Sequence, residues 1–384
     1  DLSLAVFRTG VIKMNLRRTI AVVAGLMLAA LPARAQDVDF MSLNQYLGAD
    51  LSPILAAAAA DPFDPVAFNA AVVGALEAAA ANKAAERIGA QAELILKRGP
   101  DLVGLQEVFV FECADPFATG ACDDPLVASA FEDFLELTLA ALGGEYYEAA
   151  QVVNFQVDGV NAIPFVLPGY AQPAFVSTRD RDVILAREGI ATTPVDFGCP
   201  PVNVSEDGCN YIARLTSGPL TVLRGYVGVD ATVDGLAVRA VDTHLEVKSP
   251  PIPPLLQNLQ ANELLTFLAA TPNDRKLVVL GDINSSPDDP PSSPYGQFSA
   301  LGYTDAWTLR PGKADGATCC QRSDLTNQQS QHSVRIDVVF SREYPAKAIK
   351  VRTLGDVVSS KTSPPGLGVW ASDHAAVAAD LRFE

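Results

Sequence analysis

Eight polar residues fall at or beside the ends of apolar runs. Glu107 closes DLVGLQE, His244 closes VRAVDTH, and Asp282 and Asn284 close LVVLGDIN. Asp337 lies in RIDVVF, Asp373 and His374 precede AAVAADLRF, and Asn44 lies in VDFMSLNQY. Carboxylates hold hard cations through oxygen. Imidazoles exchange a proton near neutral pH, and amides donate hydrogen bonds to charged oxygen. Asp282 and Asn284 stand two apart, so on a strand they share a face. Histidine sharpens the pattern. The chain holds three, His244, His332 and His374, and two of them sit in these clusters. His332, in QQSQHSV, reads as a loop residue, and Asp305, in GYTDAW, as a structural one.

The elements that would position these groups follow from the apolar pattern. Residues 38–46, 101–108, 238–247, 276–284, 335–341 and 375–383 read as strands. Residues 52–97 are Ala-rich, with apolar residues at helical spacing, interrupted by DPFDP at 61–65 and ended by Gly99–Pro100. Residues 129–142 and 255–269 read as further helices, and 150–230 as several short strands with long loops. Helices lie between strands early and late around a strand-rich middle. That order predicts a single α/β domain with mixed sheets.

The chain has 384 residues, 49% of them hydrophobic, and a formal charge of −17 from 28 basic and 45 acidic residues. It is long enough for a sizeable core, and its composition excludes a disordered or collagen-like chain. The acidic residues are spread, so neither a basic nucleic-acid groove nor a polybasic membrane patch shows. No apolar run of about 18 uncharged residues follows residue 35, which excludes a multi-span membrane protein. Met14 opens MNLRR, then TIAVVAGLMLAALP, then ARA before Gln36: the basic, apolar and small-residue segments of an export signal. Residues 1–13 read as an upstream extension, 1–35 as removed, and 36–384 as the domain. Cleavage would leave 23 basic and 44 acidic residues, a charge of −21. The expected location is secreted or periplasmic.

The six cysteines lie beyond that leader. An even number in an exported chain points to disulfides. Cys113 with Cys122, and Cys199 with Cys209, flank short loops rich in Pro, Gly and Asp and are expected to pair locally. Cys319 and Cys320 either form a vicinal bridge or pair elsewhere. No CxxC and no nearby His pair supports a zinc site.

Taken in order, LNQYLGADL, DLVGLQEV, VDTHLE, GDINSSP, RIDVVF and SDHAAV resemble the endonuclease/exonuclease/phosphatase superfamily, of the secreted bacterial deoxyribonuclease-like or sphingomyelinase-like type. The resemblance spans roughly residues 38–384. It implies a four-layer α/β (α+β) sandwich, two mixed β-sheets face to face with helices outside, and a site at one edge of the sheets. It implies that Glu107, Asn44 and Asp373 lie at the metal. It implies that Asp282 and Asn284 orient water and phosphate, that His244 contacts the phosphate, and that His374, paired to Asp337, is the general base. The implied cofactor is Mg²⁺, with Mn²⁺ or Ca²⁺ as alternatives. One residue departs from the pattern: the family often has Asn before Thr-His, and here it is Asp242.

The expected activity is that of a metal-dependent phosphodiesterase, with a lipid headgroup or a nucleic acid as the phosphoester partner, no stable protein partner, and a monomeric chain. An extracellular endonuclease is the first alternative and a non-catalytic, disulfide-stabilised binding protein the second. Few basic residues are spare for duplex phosphates, although Arg179, Arg181 and Arg187 lie close in sequence. The segments 153–175 and 249–256 are apolar and suit either a bilayer or ligand, or packing on the protein itself.

Overall fold

Alternation along the strands builds three separate cores, and those cores define the layers. The computed structural model describes residues 36–248, 252–272, 274–310, 312, 315–342, 347–363 and 368–383. The export signal read from the sequence lies outside these residues. The first sheet begins with β1 (Gln36–Asn44), β2 (Leu102–Gln106), β3 (Val110–Ala114), β4 (Tyr146–Val157), β5 (Ile163–Phe165) and β6 (Ala174–Arg187). The second begins with β7 (Thr192–Pro194), β8 (Val204–Ser205) and β9 (Gly208–Asn210). After a separate hairpin, β10 (Leu215–Ser217) and β11 (Leu220–Val222), it continues with β12 (Gly225–Val233), β13 (Leu236–His244), β14 (Lys276–Asp282), β15 (Thr304–Asp305) and β16 (Asp337–Ser341). Finally β17 (Lys347–Leu354) and β18 (Ala376–Phe383) return to the first sheet. The spatial orders are β17-β18-β1-β2-β6-β3, with β4 and β5 also on β6, and β15-β16-β14-β13-β12-β9-β8, with β7 on β12.

Between the sheets, Phe40, Leu102 and Ile184 of the first meet Val229, Ala240, Leu280 and Val339 of the second. On the far side of the first sheet, Met41, Val103 and Leu105 pack with Val72, Leu76, Ile88 and Ile95. Those last four belong to α2 (Pro65–Ala81) and α3 (Ala84–Arg98), which follow α1 (Ser52–Ala58) and precede α4 (Phe134–Leu142). On the far side of the second sheet, Val241, Val279 and Phe340 pack with Leu264, Leu268 and Phe298 of α5 (Pro254–Ala270) and α6 (Pro294–Ala300). Helix, sheet, sheet and helix thus form the four-layer α/β sandwich with mixed sheets that the motifs implied. Among the described residues no helix is long and apolar enough to cross a membrane.

Local chemistry explains where elements start and stop. The expected helix over 52–97 is three helices. Asp64 caps α2 by accepting from Val66 N and Ala67 N, with Pro65 in the first turn. Lys83, at φ 53°, separates α2 from α3. The helix expected over 129–142 starts only at Phe134, because Asp133 caps it by accepting from Leu135 N and Glu136 N. The region 150–230 holds the expected short strands, β5 and β7 to β11, together with two long ones, β4 and β6. The segment 153–175 packs on the protein only in part: Phe165, Leu167 and Ala174 are buried, whereas Val160 and Val166 are exposed.

Two glycines are required by close approach. A Cβ on Gly104 would collide with the Asp242 carboxylate on the opposing sheet. Gly281, at φ 146°, lies so close to the Thr243 carbonyl oxygen that no Cβ fits.

All three cysteine pairs are formed: Cys113–Cys122, Cys199–Cys209 and the vicinal Cys319–Cys320. Cys199 and Cys209 are ten residues apart, a loop whose closure stabilises by roughly 2.7 kcal/mol in the chain-entropy model. Replacing both by Ser is expected to lower the unfolding free energy by about 2–3 kcal/mol. Urea denaturation reads this, and an unchanged midpoint would show that closing the loop contributes nothing.

Candidate active site

Inside the sandwich, the rows that face the opposite sheet turn from apolar to polar at one end. Along β1 the row runs from Phe40 to Asn44, along β13 from Ala240 through Asp242 to His244, and along β14 from Leu280 to Asp282. β6 and β16 run antiparallel to their neighbours β2 and β14, so their N-terminal halves reach the same end. They deliver Asp180, Asp182 and Asp337 there, ahead of Ile184 and Val339. Register completes the set: His244, Asp282 and Asp337 are direct neighbours on β13, β14 and β16. Asn44 is the neighbour of Gln106 on the first sheet.

Asp282 is the meeting point. Its Oδ2 accepts from Asn44 Nδ2 at 3.2 Å and lies 3.5 Å from His244 Nε2 and 3.8 Å from His374 Nε2. Its Oδ1 accepts from Asn284 N at 2.9 Å. Asn284 Nδ2 donates to Leu245 O at 2.9 Å and lies 3.2 Å from His244 Nε2. His374 Nδ1 is 2.9 Å from Asp337 Oδ2. This pairing keeps the Nδ1 proton on the Asp337 side and leaves Nε2 to face the cleft. Ser372 explains the serine of SDH. Its hydroxyl donates to Asn44 O at 2.7 Å and accepts from His374 N at 3.0 Å.

The strand readings 38–46, 101–108 and 276–284 each ran two residues too far, for one reason. After Asn44, Gln106 and Asp282 the backbone turns through a left-handed non-glycine residue: Tyr46 at φ 61°, Glu107 at 55° and Asn284 at 49°. Such conformations cost about 1–2 kcal/mol each for residues with a Cβ. Three of the left-handed non-glycine positions thus lie at the candidate site, and others, such as Lys83 and Asp234, lie away from it.

Burial sets the proton affinities. It pushes Asp282 up to about 7, reinforced by the Asp337 charge and opposed by His374. Asp373 is raised to about 6 by burial and by Glu107. Burial also disfavours the His374 imidazolium, but Asp337, Asp373 and Asp282 together outweigh it and hold His374 well above its usual range. His244 lies well below its usual range because of burial and the Arg224 guanidinium. Arg224 Nη1 faces His244 Nδ1 at 3.0 Å. That contact makes Nδ1 the acceptor and leaves the proton of the neutral ring on Nε2, toward Asp282.

Glu107 Oε2 accepts from Leu47 N at 2.9 Å, and Oε1 has a longer contact, 3.3 Å, with Asn44 Nδ2. Glu107 and Asp373 line one cleft, and Asp373 Oδ1 is buried without a hydrogen-bond partner. Partly buried carboxylates with spare lone pairs, one of whose oxygens lacks a hydrogen-bond partner, suit a hard divalent cation. Asn44, expected among the metal ligands, commits its Oδ1 to Tyr46 N at 2.9 Å and its amide to the two carboxylates. Its role in this arrangement is to hold them. Cys319, Cys320 and His374 also lie near one another, with the two sulfurs already paired.

Buried Arg87 secures the loops around the site. Its guanidinium donates to Asn82 O at 2.9 Å, Gln45 O at 2.9 Å, Tyr46 O at 3.0 Å and Ala371 O at 3.2 Å. Gln91 Nε2 reaches Gln45 O and Ala371 O as well. Burial lowers Arg87 to about 10.

Four site residues went unnoticed in the sequence: Asp180, Asp182, Arg224 and Glu246. Arg224 lies 3.5 Å from both Asp180 and Glu246, and Asp182 Oδ2 accepts from His244 N at 3.1 Å. Period two in TRDRDV held the signal, since it sends both Asp residues to one face and both Arg residues to the other. Two of the three arginines read as a possible basic cluster are already paired. Arg181 is buried against Asp133 and Val108 O, and Arg187 pairs with Asp101. His332 lies behind the site, 3.1 Å from the Asp373 carbonyl. Asp305 is structural, paired with Arg335, which leaves Asp337 to His374.

A two-sheet α/β sandwich with acids, amides and imidazoles of both sheets converging at one end defines a hydrolase-like architecture. Residues 68–374 match the Endonuclease/Exonuclease/phosphatase family, and the chain belongs to it. Members of that family are typically phosphoesterases or nucleases and generally use divalent metals. The fold is shared with the endonuclease/exonuclease/phosphatase protein from Bacteroides vulgatus, at 14% identity and a TM-score of 0.52, over 91% of this chain and 100% of that one. It is shared with a family protein from Leptotrichia buccalis, at 13% identity and a TM-score of 0.51, over 90% of this chain and 100% of that one. No curated protein matches the chain in sequence.

Asp242 is fully buried and points between the sheets. Its Oδ1 accepts from Gln106 Nε2 at 2.7 Å, and Oδ2 has no partner. Burial, with Asp182 nearby, raises it well above the ordinary range. The folded state then holds this proton more tightly than the unfolded chain. Its contribution is full below pH about 4, the unfolded carboxyl range, and is lost as pH rises toward the folded value. Asp242→Asn keeps the acceptor for Gln106 and has no charge to bury. It is expected to stabilise by on the order of 1–3 kcal/mol at pH 8 and by much less near pH 4. Thermal unfolding across pH reads the difference, and a gain independent of pH would refute this account.

Proposed function

We propose that the protein hydrolyses phosphodiesters, with a divalent cation, Mg²⁺ by choice of ligands, held by Glu107 and Asp373. The observation that carries this is the convergence of His244 Nε2 and His374 Nε2 on Asp282 Oδ2, at 3.5 and 3.8 Å, with His374 backed by Asp337. His244 and Asn284 then donate N–H groups to phosphoryl oxygens. Asp282 orients the attacking water and His374 Nε2 takes its proton. The water oxygen forms the new bond to phosphorus, and the ester P–O electron pair leaves on the departing oxygen, which His374 later reprotonates. The cation, when bound, neutralises phosphoryl and leaving-group charge. Were Asp373 to hold such a cation, its charge would favour the His374 imidazolium less.

A duplex is the poorer substrate, because two of the three arginines in the candidate basic cluster, Arg181 and Arg187, are engaged by Asp133, Asp101 and the Val108 carbonyl. The leader-like residues 14–35 and three formed disulfides support an exported protein.

His374→Ala and Asp282→Ala are each expected to cut kcat by about 10²–10⁴ while circular dichroism stays native. Near-normal turnover would remove these residues from the chemistry. Sphingomyelin vesicles and plasmid DNA, offered side by side with Mg²⁺ and with EDTA, separate the substrate classes. Phosphocholine release that EDTA abolishes, without nicking, is the expected result. Nicking without lipid cleavage would make the protein a nuclease.

A further inference from the structure

We infer that the cavity beside Glu107 and Asp373 receives one hydrocarbon chain of an amphiphilic phosphodiester, an inference that names the substrate class and rests on the hydrolase reading. The cavity measures about 440 Å³, within the range of about 300–1,000 Å³ usual for ligand sites. Its catalytic end is formed by Glu107, Asp373 and Arg224. From there it runs between the helices and the small hairpin. Ile54, Leu55 and Leu76 of α1 and α2 supply one wall, and Leu215, Leu220 and Val222 of β10 and β11 another. Phe111 and Val176 of the first sheet also line it.

Two further observations select the occupant. The hairpin pairs with no other strand, yet Ser217 Oγ donates to Leu55 O at 2.9 Å and ties it to α1. An apolar hairpin is thus held over an apolar helix pair, and its inward leucines, like Ile54 and Leu55, remain only half-buried. The polar lining gathers elsewhere: Asp180, Glu246 and Gln321 lie with the catalytic residues, and Asp50 and Ser52 are exposed at the start of α1. Phe109, Phe111, Phe155 and Thr178 also line the cavity, but most of its wall is aliphatic, and a methylene chain needs only apolar contact. Glu107 and Asp373, the proposed cation ligands, line the cavity, so a phosphoryl group held at that cation would have its chain at the mouth of the apolar stretch.

The test is a series of n-alkylphosphocholines, butyl to dodecyl, below their micellar concentrations, with a dinucleotide as comparison. Phosphocholine release is expected to rise in kcat/KM by about fourfold per added methylene, the ratio that ~0.8 kcal/mol per buried CH₂ gives, and then to level off. Ala75→Phe, which fills the cavity from α2, should bring the plateau to shorter chains while the butyl ester is cleaved as before. Leu220→Asn, on the hairpin outside the sandwich core, should flatten the slope. An active enzyme with a flat chain-length dependence, or one that neither variant alters, overturns the inference and leaves the hydrolase reading standing. So does a dinucleotide cleaved faster than the octyl ester and blocked by Ala75→Phe. If no ester is cleaved, calorimetry with the same esters in EDTA decides. Affinity that grows with chain length and falls in Ala75→Phe supports the cavity and overturns the hydrolase reading, and no binding overturns both.

Discussion

One carboxylate oxygen, Asp282 Oδ2, joins the two sheets at their polar end. Asn44 reaches it from the first sheet, His244 from the neighbouring strand of the second, and His374 from the loop before β18. A shift of one residue in any of these pairings would exchange faces and send the group into an outer core. The apolar rows behind Asp282 therefore do more than stabilise. Phe40, Ala240, Leu280 and Val339 fix the register that brings the polar residues together.

The arrangement is costly. Several carboxylates and two imidazoles are buried at one end of the sandwich, and burying charge without full pairing is unfavourable. The raised proton affinities of Asp282, Asp373 and Asp182 express that cost. Left-handed turns at Glu107 and Asn284 add backbone strain. The three apolar cores offset these terms, at about 1.5–3 kcal/mol for each large aliphatic or aromatic side chain fully buried.

Much of this was legible in the sequence. Apolar runs closed by a carboxylate, amide or imidazole located the eight candidate residues and most of the strands that carry them. What escaped had no local signature or a misread one. Positive φ at Glu107 cannot be seen in a glutamate. Arg224 precedes a strand without any pattern around it, and its importance lies in contacts with Asp180, Glu246 and His244 that are distant in sequence. In TRDRDV the arginines drew attention from the aspartates, although alternation separates them. The departure at Asp242 was visible, but its meaning depended on Gly104 and Gln106 across the sheets.

Arg87 bears on how this chain can vary. It touches the loops around the site through carbonyl oxygens of residues 45, 46, 82 and 371. Every residue type carries that oxygen, so the clamp specifies the path of those loops and not their composition. What constrains the side chains there is their own burial and hydrogen bonding, as at Gln45, Tyr46 and Asn82, and not the clamp. The guanidinium itself is not interchangeable, since a lysine ammonium offers three donors from a single atom and cannot span four separated acceptors. The clamp therefore makes its demand on the identity of the holder alone, and any demand on the held positions comes from their other contacts.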